Sequence, residues 1–100
     1  MAIIKDPEGN ETACLQTMID FKNLSVLEVG CGEGRLTWRY AAKAAHVTAI
    51  DPDGAAIKTA RADTPKNLKE RVDFRETSIE DFAQTSSGRR FDVAIFAWSL

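Results

Sequence analysis

The chain has 100 residues, 44% of them hydrophobic and 28% charged, so it forms one compact domain or part of one, and a two-domain enzyme is excluded. Its 13 basic and 15 acidic residues give a net charge of −2, which does not indicate a nucleic-acid partner. No apolar run approaches the roughly 18 residues of a membrane span, so we expect a cytoplasmic protein without a membrane partner.

Apolar and polar segments alternate along the chain and predict helices and strands in succession. Apolar residues at three- and four-residue steps predict an opening helix over Asn10–Phe21, within an N-terminal helical segment that covers residues 1–23. The β-branched run Ser25–Val29 stops at glycines and predicts the first strand. Helix formers over Arg35–Ala45 predict a helix packed on a sheet, and His46–Asp51 is the second predicted strand.

The second half of the chain continues the alternation. Asp53–Ala62 predicts a helix, Arg71–Glu76 a third strand, and Ile79–Phe82 a short helical turn. Phe91–Trp98 is almost continuously apolar, which is typical of strands covered on both faces in a parallel sheet. Right-handed crossovers between such strands predict an α/β fold: a Rossmann-like parallel sheet with flanking helices and the strand order 3-2-1-4.

Three glycines follow the first predicted strand, at positions 30, 32 and 34. A glycine loop between a strand and a helix lets a ligand approach the main chain, next to unpaired N–H groups of the helix. Asp51 ends the next strand about 20 residues later, where its carboxylate can accept hydrogen bonds from two ribose hydroxyls. Capping of the following helix is the other use open to Asp51. Loop and acid together predict a nucleoside site at the carboxyl edge of the sheet.

The spacing of these glycines separates two classes of nucleoside cofactor. The dinucleotide fingerprint GxGxxG requires a glycine at the position of Arg35, but the third glycine comes one residue earlier. The string Glu28-x-Gly30-x-Gly32-x-Gly34 has the form (D/E)xGxGxG and resembles the class I S-adenosylmethionine-dependent methyltransferases.

The segments 72–82 and 91–98 are similar to the strand-three and strand-four motifs of the same family. The resemblance implies that the glycine loop passes the methionine part of S-adenosylmethionine, that the acid ending strand two holds the ribose, and that residues after strand three flank the adenine. Many members of the family have an aspartate at the position of Ser78, and that aspartate accepts a hydrogen bond from the adenine amino group. The implied cofactor-binding residues are Glu28, Gly30, Cys31, Gly32, Gly34, Asp51, Pro52, Ser78, Ile79 and Ala97.

The resemblance implies transfer of a methyl group from S-adenosylmethionine to an unidentified acceptor. Alignment of acceptor and methyl group can supply on the order of 7–11 kcal/mol, so a nucleophilic side chain is not required and no catalytic residue is predicted. Cys14 and Cys31 lack zinc-ligand spacing, and no metal is predicted. The alternatives are an NAD(P)-binding oxidoreductase of Rossmann fold, a non-catalytic cofactor-binding fragment, and aminopropyl transfer from the decarboxylated cofactor.

The resemblance also implies that residues 24–100 are only part of an S-adenosylmethionine-binding Rossmann-like domain. A full sheet in the family has seven strands, and this chain is expected to stop after the fourth. The apolar strand Val93–Trp98 would then be an exposed edge, which predicts self-association through it.

Overall fold

A computed structural model describes residues 2–6, 20–85 and 89–97, which form a parallel sheet with helices. The strands are β1 (Ala2–Asp6), β2 (Ser25–Val29), β3 (His46–Asp51), β4 (Val72–Glu76) and β5 (Val93–Ala97). The helices are α1 (Thr37–Tyr40), α2 (Gly54–Asp63) and α3 (Ile79–Thr85), with a 3-10 turn at Lys66–Leu68.

The strand order of the sheet is β1-β5-β2-β3-β4, and every neighbouring pair is parallel. The run β4-β3-β2-β5 is the predicted order 3-2-1-4, so the Rossmann-like α/β fold is confirmed. Parallel neighbours need crossover connections, and the crossovers through α1 and α2 supply two of them.

β1 is a strand where the sequence predicts a helical segment. Ala2–Asp6 runs parallel to β5, from the pair Ala2 and Val93 to the pair Asp6 and Ala97. The predicted N-terminal helical segment is therefore wrong for these residues. The pairing of β1 with a strand at the other end of the chain produces no pattern in the sequence of residues 2–6 that would reveal it. The predicted helix Asn10–Phe21 lies outside the described residues except at its last two positions, which are not helical.

β5 is an internal strand of the sheet. It pairs with β2 on one side and with β1 on the other, so both of its edges have a neighbour. The prediction that the fourth strand is an exposed edge is therefore wrong, because β1 takes up the backbone groups on that side. The self-association inferred from that edge loses its basis.

α1 is shorter than the predicted helix Arg35–Ala45. Beyond Tyr40 the chain continues in tighter turns, since the N–H groups of Lys43 and Ala44 donate to carbonyls three residues before them. The sequence also predicts that Leu36, Tyr40 and Ala44 share one face of this helix, packed on the sheet, and all three residues are buried. α2 lies within one residue of its predicted bounds, and α3 extends the predicted turn to Thr85.

Alternate residues of the strands fill a core on each face of the sheet. The larger core lies under α1 and α2 and includes Val26, Val47, Phe74 and Ile95. The smaller core lies under α3 and consists of Leu27, Ile50, Phe82 and Ala94. Among the described residues, no helix has the length and apolarity needed to cross a bilayer.

Candidate functional site

The carboxyl ends of the parallel strands meet at one edge of the sheet. Val29 at the end of β2 is level with Ile50 of β3 and with Phe96 of β5. Asp51 at the end of β3 is level with Glu76, and its carbonyl accepts a hydrogen bond from Thr77 N–H at 3.1 Å. This register brings the glycine loop, the predicted ribose acid and the segment after β4 to the same edge.

The glycine loop begins where β2 ends and is tied to β3. Gly30 N–H and Cys31 N–H both donate to Ile50 O, at 2.9 and 3.2 Å. All three loop glycines have positive φ, +79° at Gly30, +55° at Gly32 and +94° at Gly34. This left-handed conformation is unfavourable for residues with a Cβ atom. The glycines therefore occupy the three loop positions at which the backbone requires a positive φ.

Two of the loop glycines face different surroundings. A Cβ atom on Gly30 would lie 2.5 Å from Ala97 O in β5, so the main chains of β5 and the loop approach closely there. A Cβ atom on Gly32 would have no heavy atom within 4 Å. The loop therefore presents bare main chain to open space at Gly32.

Asp51 joins the glycine loop to the start of α2. Its Oδ2 accepts a hydrogen bond from Gly32 N–H at 2.9 Å, and its Oδ1 accepts one from Asp53 N–H at 2.8 Å. Two carboxylate oxygens offer about four acceptor positions, so this half-buried side chain can still accept from hydroxyl donors.

The capping role left open for Asp51 belongs to Asp53. Asp53 Oδ1 accepts from the N–H groups of Ala55 and Ala56, at 3.1 and 3.2 Å, at the start of α2. The two carboxylates thus have separate tasks, because only Asp53 is at the N-cap position of α2.

Glu28 lies inside the fold rather than on the surface of the loop. Its side chain is fully buried, and Oε1 accepts hydrogen bonds from Thr37 Oγ1 at 2.8 Å and Tyr40 Oη at 2.6 Å. The Tyr40 ring stacks on Phe21 with centroids 4.7 Å apart. Sequence reasoning missed Thr37 and Tyr40; the available signal was two hydroxyl groups three residues apart on a helix that follows a strand carrying an acid.

The Cys31 thiol is buried in the loop and is not activated. Burial raises its pKa most, and the negative charges of Glu28 and Asp51 raise it further. A thiol with a raised pKa stays protonated at neutral pH and is a poor nucleophile.

Alkaline pH should destabilise the protein through Tyr40 and Cys31. Burial, with the Glu28 charge second, raises the pKa of Tyr40 well above 10, and the pKa of Cys31 is raised above 9.0. The values 10 and 9.0 are the pKa values of these groups in the unfolded chain. At a pH below them, both groups are protonated in the folded and in the unfolded chain, so their contribution to stability is fully present. Above them only the unfolded chain loses protons, and the free energy of unfolding should fall by about 1.4 kcal/mol per pH unit for each group.

Urea unfolding between pH 8 and 11 measures this dependence. Tyr40→Phe should unfold with a shallower pH dependence above pH 10, because one of the two titrating groups is gone. If the free energy of unfolding fell equally steeply with pH in the variant and in the natural chain, Tyr40 would not contribute to the loss of stability.

The remaining predicted residues lie at the same edge of the sheet. Ser78 begins α3, since its Oγ accepts from Asp81 N–H at 3.1 Å and its carbonyl accepts from Phe82 N–H. Ile79 is half-buried against the smaller core, and Pro52 is exposed next to Asp51. Ala97 is the residue of β5 that approaches Gly30. Contact of these residues with a cofactor stays a prediction.

Comparison with known proteins identifies the family. The sequence matches the model of a family described as a methyltransferase domain over residues 20–99. A ubiquinone biosynthesis O-methyltransferase of Actinobacillus pleuropneumoniae serotype 5b is 39% identical over 71 residues, which are 68% of this chain and 30% of that protein. The chain thus spans about 30% of the length of the curated relatives it matches.

Solved structures share the sheet. A Listeria monocytogenes protein assigned as an S-adenosylmethionine-dependent methyltransferase superposes with a TM-score of 0.71 and 24% identity, over 92% of this chain and 41% of that one. The Trypanosoma brucei PRMT1 enzyme–prozyme complex with AdoHcy gives a TM-score of 0.64 and 29% identity, over 86% of this chain and 26% of that one. Because the family model matches residues 20–99, the chain belongs to the methyltransferase domain family.

Proposed function

We propose that this chain forms the S-adenosylmethionine-binding part of a methyltransferase. The observation that carries the proposal is the bond between Gly32 N–H and Asp51 Oδ2, at 2.9 Å, beside the open space at Gly32. It places bare main chain and a carboxylate next to each other at the carboxyl edge of the sheet, where nucleoside ligands bind in open α/β sheets.

The described residues support one orientation of the cofactor. The loop from Gly30 to Gly34 passes the methionine part, Asp51 with Pro52 holds the ribose hydroxyls, and Ser78 with Ile79 lies at the adenine. Ser78 Oγ accepts a hydrogen bond from Asp81 N–H, and its second lone pair can accept another from the adenine amino group.

The spacing of the loop glycines favours this cofactor over a dinucleotide. The third glycine of the loop is Gly34, and Arg35 occupies the position where the dinucleotide fingerprint has a glycine. The loop therefore supports S-adenosylmethionine over the alternative of an NAD(P)-binding oxidoreductase.

The chemistry asked of these residues is binding and orientation. When bound, S-adenosylmethionine supplies a methyl group on positively charged sulfur, and the protein must hold an acceptor in line with it. The relatives named ubiquinone biosynthesis O-methyltransferase favour an oxygen atom as the acceptor. The cytoplasmic location expected from the sequence stays a prediction.

Calorimetric titration with S-adenosylhomocysteine and with NAD tests the cofactor class. We expect a saturable signal with S-adenosylhomocysteine and none with NAD at the same concentration. Tighter binding of NAD would overturn the proposal in favour of an oxidoreductase.

Turnover separates the catalytic alternatives. Transfer of a labelled methyl group to a phenolic or other oxygen acceptor supports a methyltransferase. Binding of S-adenosylhomocysteine without turnover on a broad acceptor panel favours a non-catalytic cofactor-binding fragment. Transfer only from the decarboxylated cofactor would favour aminopropyl transfer.

A further inference from the structure

Glu28, Thr37 and Tyr40 form a buried hydrogen-bonded cluster next to the glycine loop. The exposed fractions of these residues are 0%, 0% and 2%, and both hydroxyls donate to the same oxygen, Glu28 Oε1. Burial of a carboxylate is costly unless hydrogen bonds replace those of water. The two hydroxyl donors therefore make this acid tolerable inside the fold.

The cluster bridges the two ends of the loop. Glu28 lies in β2, which is held between β3 and β5, and Thr37 and Tyr40 lie in α1. The chain segment between Glu28 and Thr37 contains the whole glycine loop. Both hydrogen bonds therefore fix the distance between the strand that enters the loop and the helix that leaves it.

We propose that Thr37 and Tyr40 are positioning residues for cofactor binding, which they support through Glu28 without touching the cofactor. By holding Glu28 Oε1 they keep the loop in the shape that exposes Gly32 and bonds it to Asp51. A loop already in its binding shape loses less conformational entropy when a ligand is bound. The inference rests on the proposed function, since the ligand is the one proposed there.

Two isosteric variants remove the donors one at a time. Thr37→Val and Tyr40→Phe should each raise the Kd for S-adenosylhomocysteine about five- to tenfold, because each removes one hydrogen bond to a charged group. Thr37→Ser keeps the hydroxyl and should restore the affinity to within about twofold of the natural chain. Val72→Ala is the matched control for lost stability. Val72 is buried at the amino end of the outer strand β4, away from the carboxyl ends of the strands where the glycine loop lies. The substitution should lower the melting temperature and leave the Kd unchanged.

Amide hydrogen exchange gives a readout that needs no ligand. Exchange at Gly32 should accelerate about tenfold in Thr37→Val and Tyr40→Phe, and should not change in Val72→Ala. The inference would be overturned if Thr37→Val and Tyr40→Phe changed neither the Kd nor the amide exchange rate at Gly32. It would also be overturned if Val72→Ala changed both quantities by as much as the two donor variants do. If the natural chain does not bind S-adenosylhomocysteine, the proposed function fails, and the exchange rates still decide whether the cluster positions the loop.

Discussion

Replacing Gly30 by alanine should lower the free energy of unfolding by about 3 kcal/mol, against about 1 kcal/mol for Gly32→Ala. The added methyl group at Gly30 would lie 2.5 Å from Ala97 O, which is closer than a carbon and an oxygen can approach. The loop cannot retreat easily, because Gly30 N–H and Cys31 N–H are both bonded to Ile50 O. β5 cannot retreat either, because it is paired on both sides.

Gly32→Ala is the matched control. It carries the same unfavourable backbone conformation, with φ at +55°, but its methyl group meets open space. Urea unfolding followed by circular dichroism measures the difference between the two variants. Equal stabilities would mean that the close approach between the loop and β5 does not exist.

Asp51→Ala should weaken binding of S-adenosylhomocysteine by at least about 100-fold. The proposed ribose contact consists of two hydrogen bonds from hydroxyls to this carboxylate, each worth about 1.5–3 kcal/mol, and every 1.4 kcal/mol is about tenfold in Kd. The substitution also removes the acceptor of Gly32 N–H, which lies at the open face of the loop. Calorimetric titration at a temperature where the variant is fully folded measures the loss.

Asp53→Ala separates binding from folding at the same place in the chain. It removes the N-cap of α2 and should cost about 1 kcal/mol of stability. Its affinity for S-adenosylhomocysteine should stay within about threefold of the natural chain, because Asp53 is assigned no ribose contact. An Asp51→Ala variant that binds as well as Asp53→Ala would contradict the role of Asp51.

Much of the fold and the candidate site followed from patterns within short stretches of sequence. The order of the strands β4-β3-β2-β5 was predictable because crossovers between parallel strands have one handedness and short connections. The loop was predictable because three positive φ angles demand three glycines, and their spacing is visible in the sequence.

The division of work between Asp51 and Asp53 was not predictable to the same degree. Both are acids at a strand end before a helix, so either could cap α2. The backbone direction at Asp53 decides it, since only that side chain reaches Ala55 N–H and Ala56 N–H.

The sequence by itself determined the succession of strands and helices, the glycine loop and the acid that follows it, because each depends on residues close together along the chain. Only the tertiary structure decided that β1 pairs with β5, that Thr37 and Tyr40 hold Glu28, and that Gly30 meets Ala97. Those contacts join residues whose spacing follows no helical or strand period. They exist because folding of the sheet and its helices brings groups that are distant along the chain within contact distance.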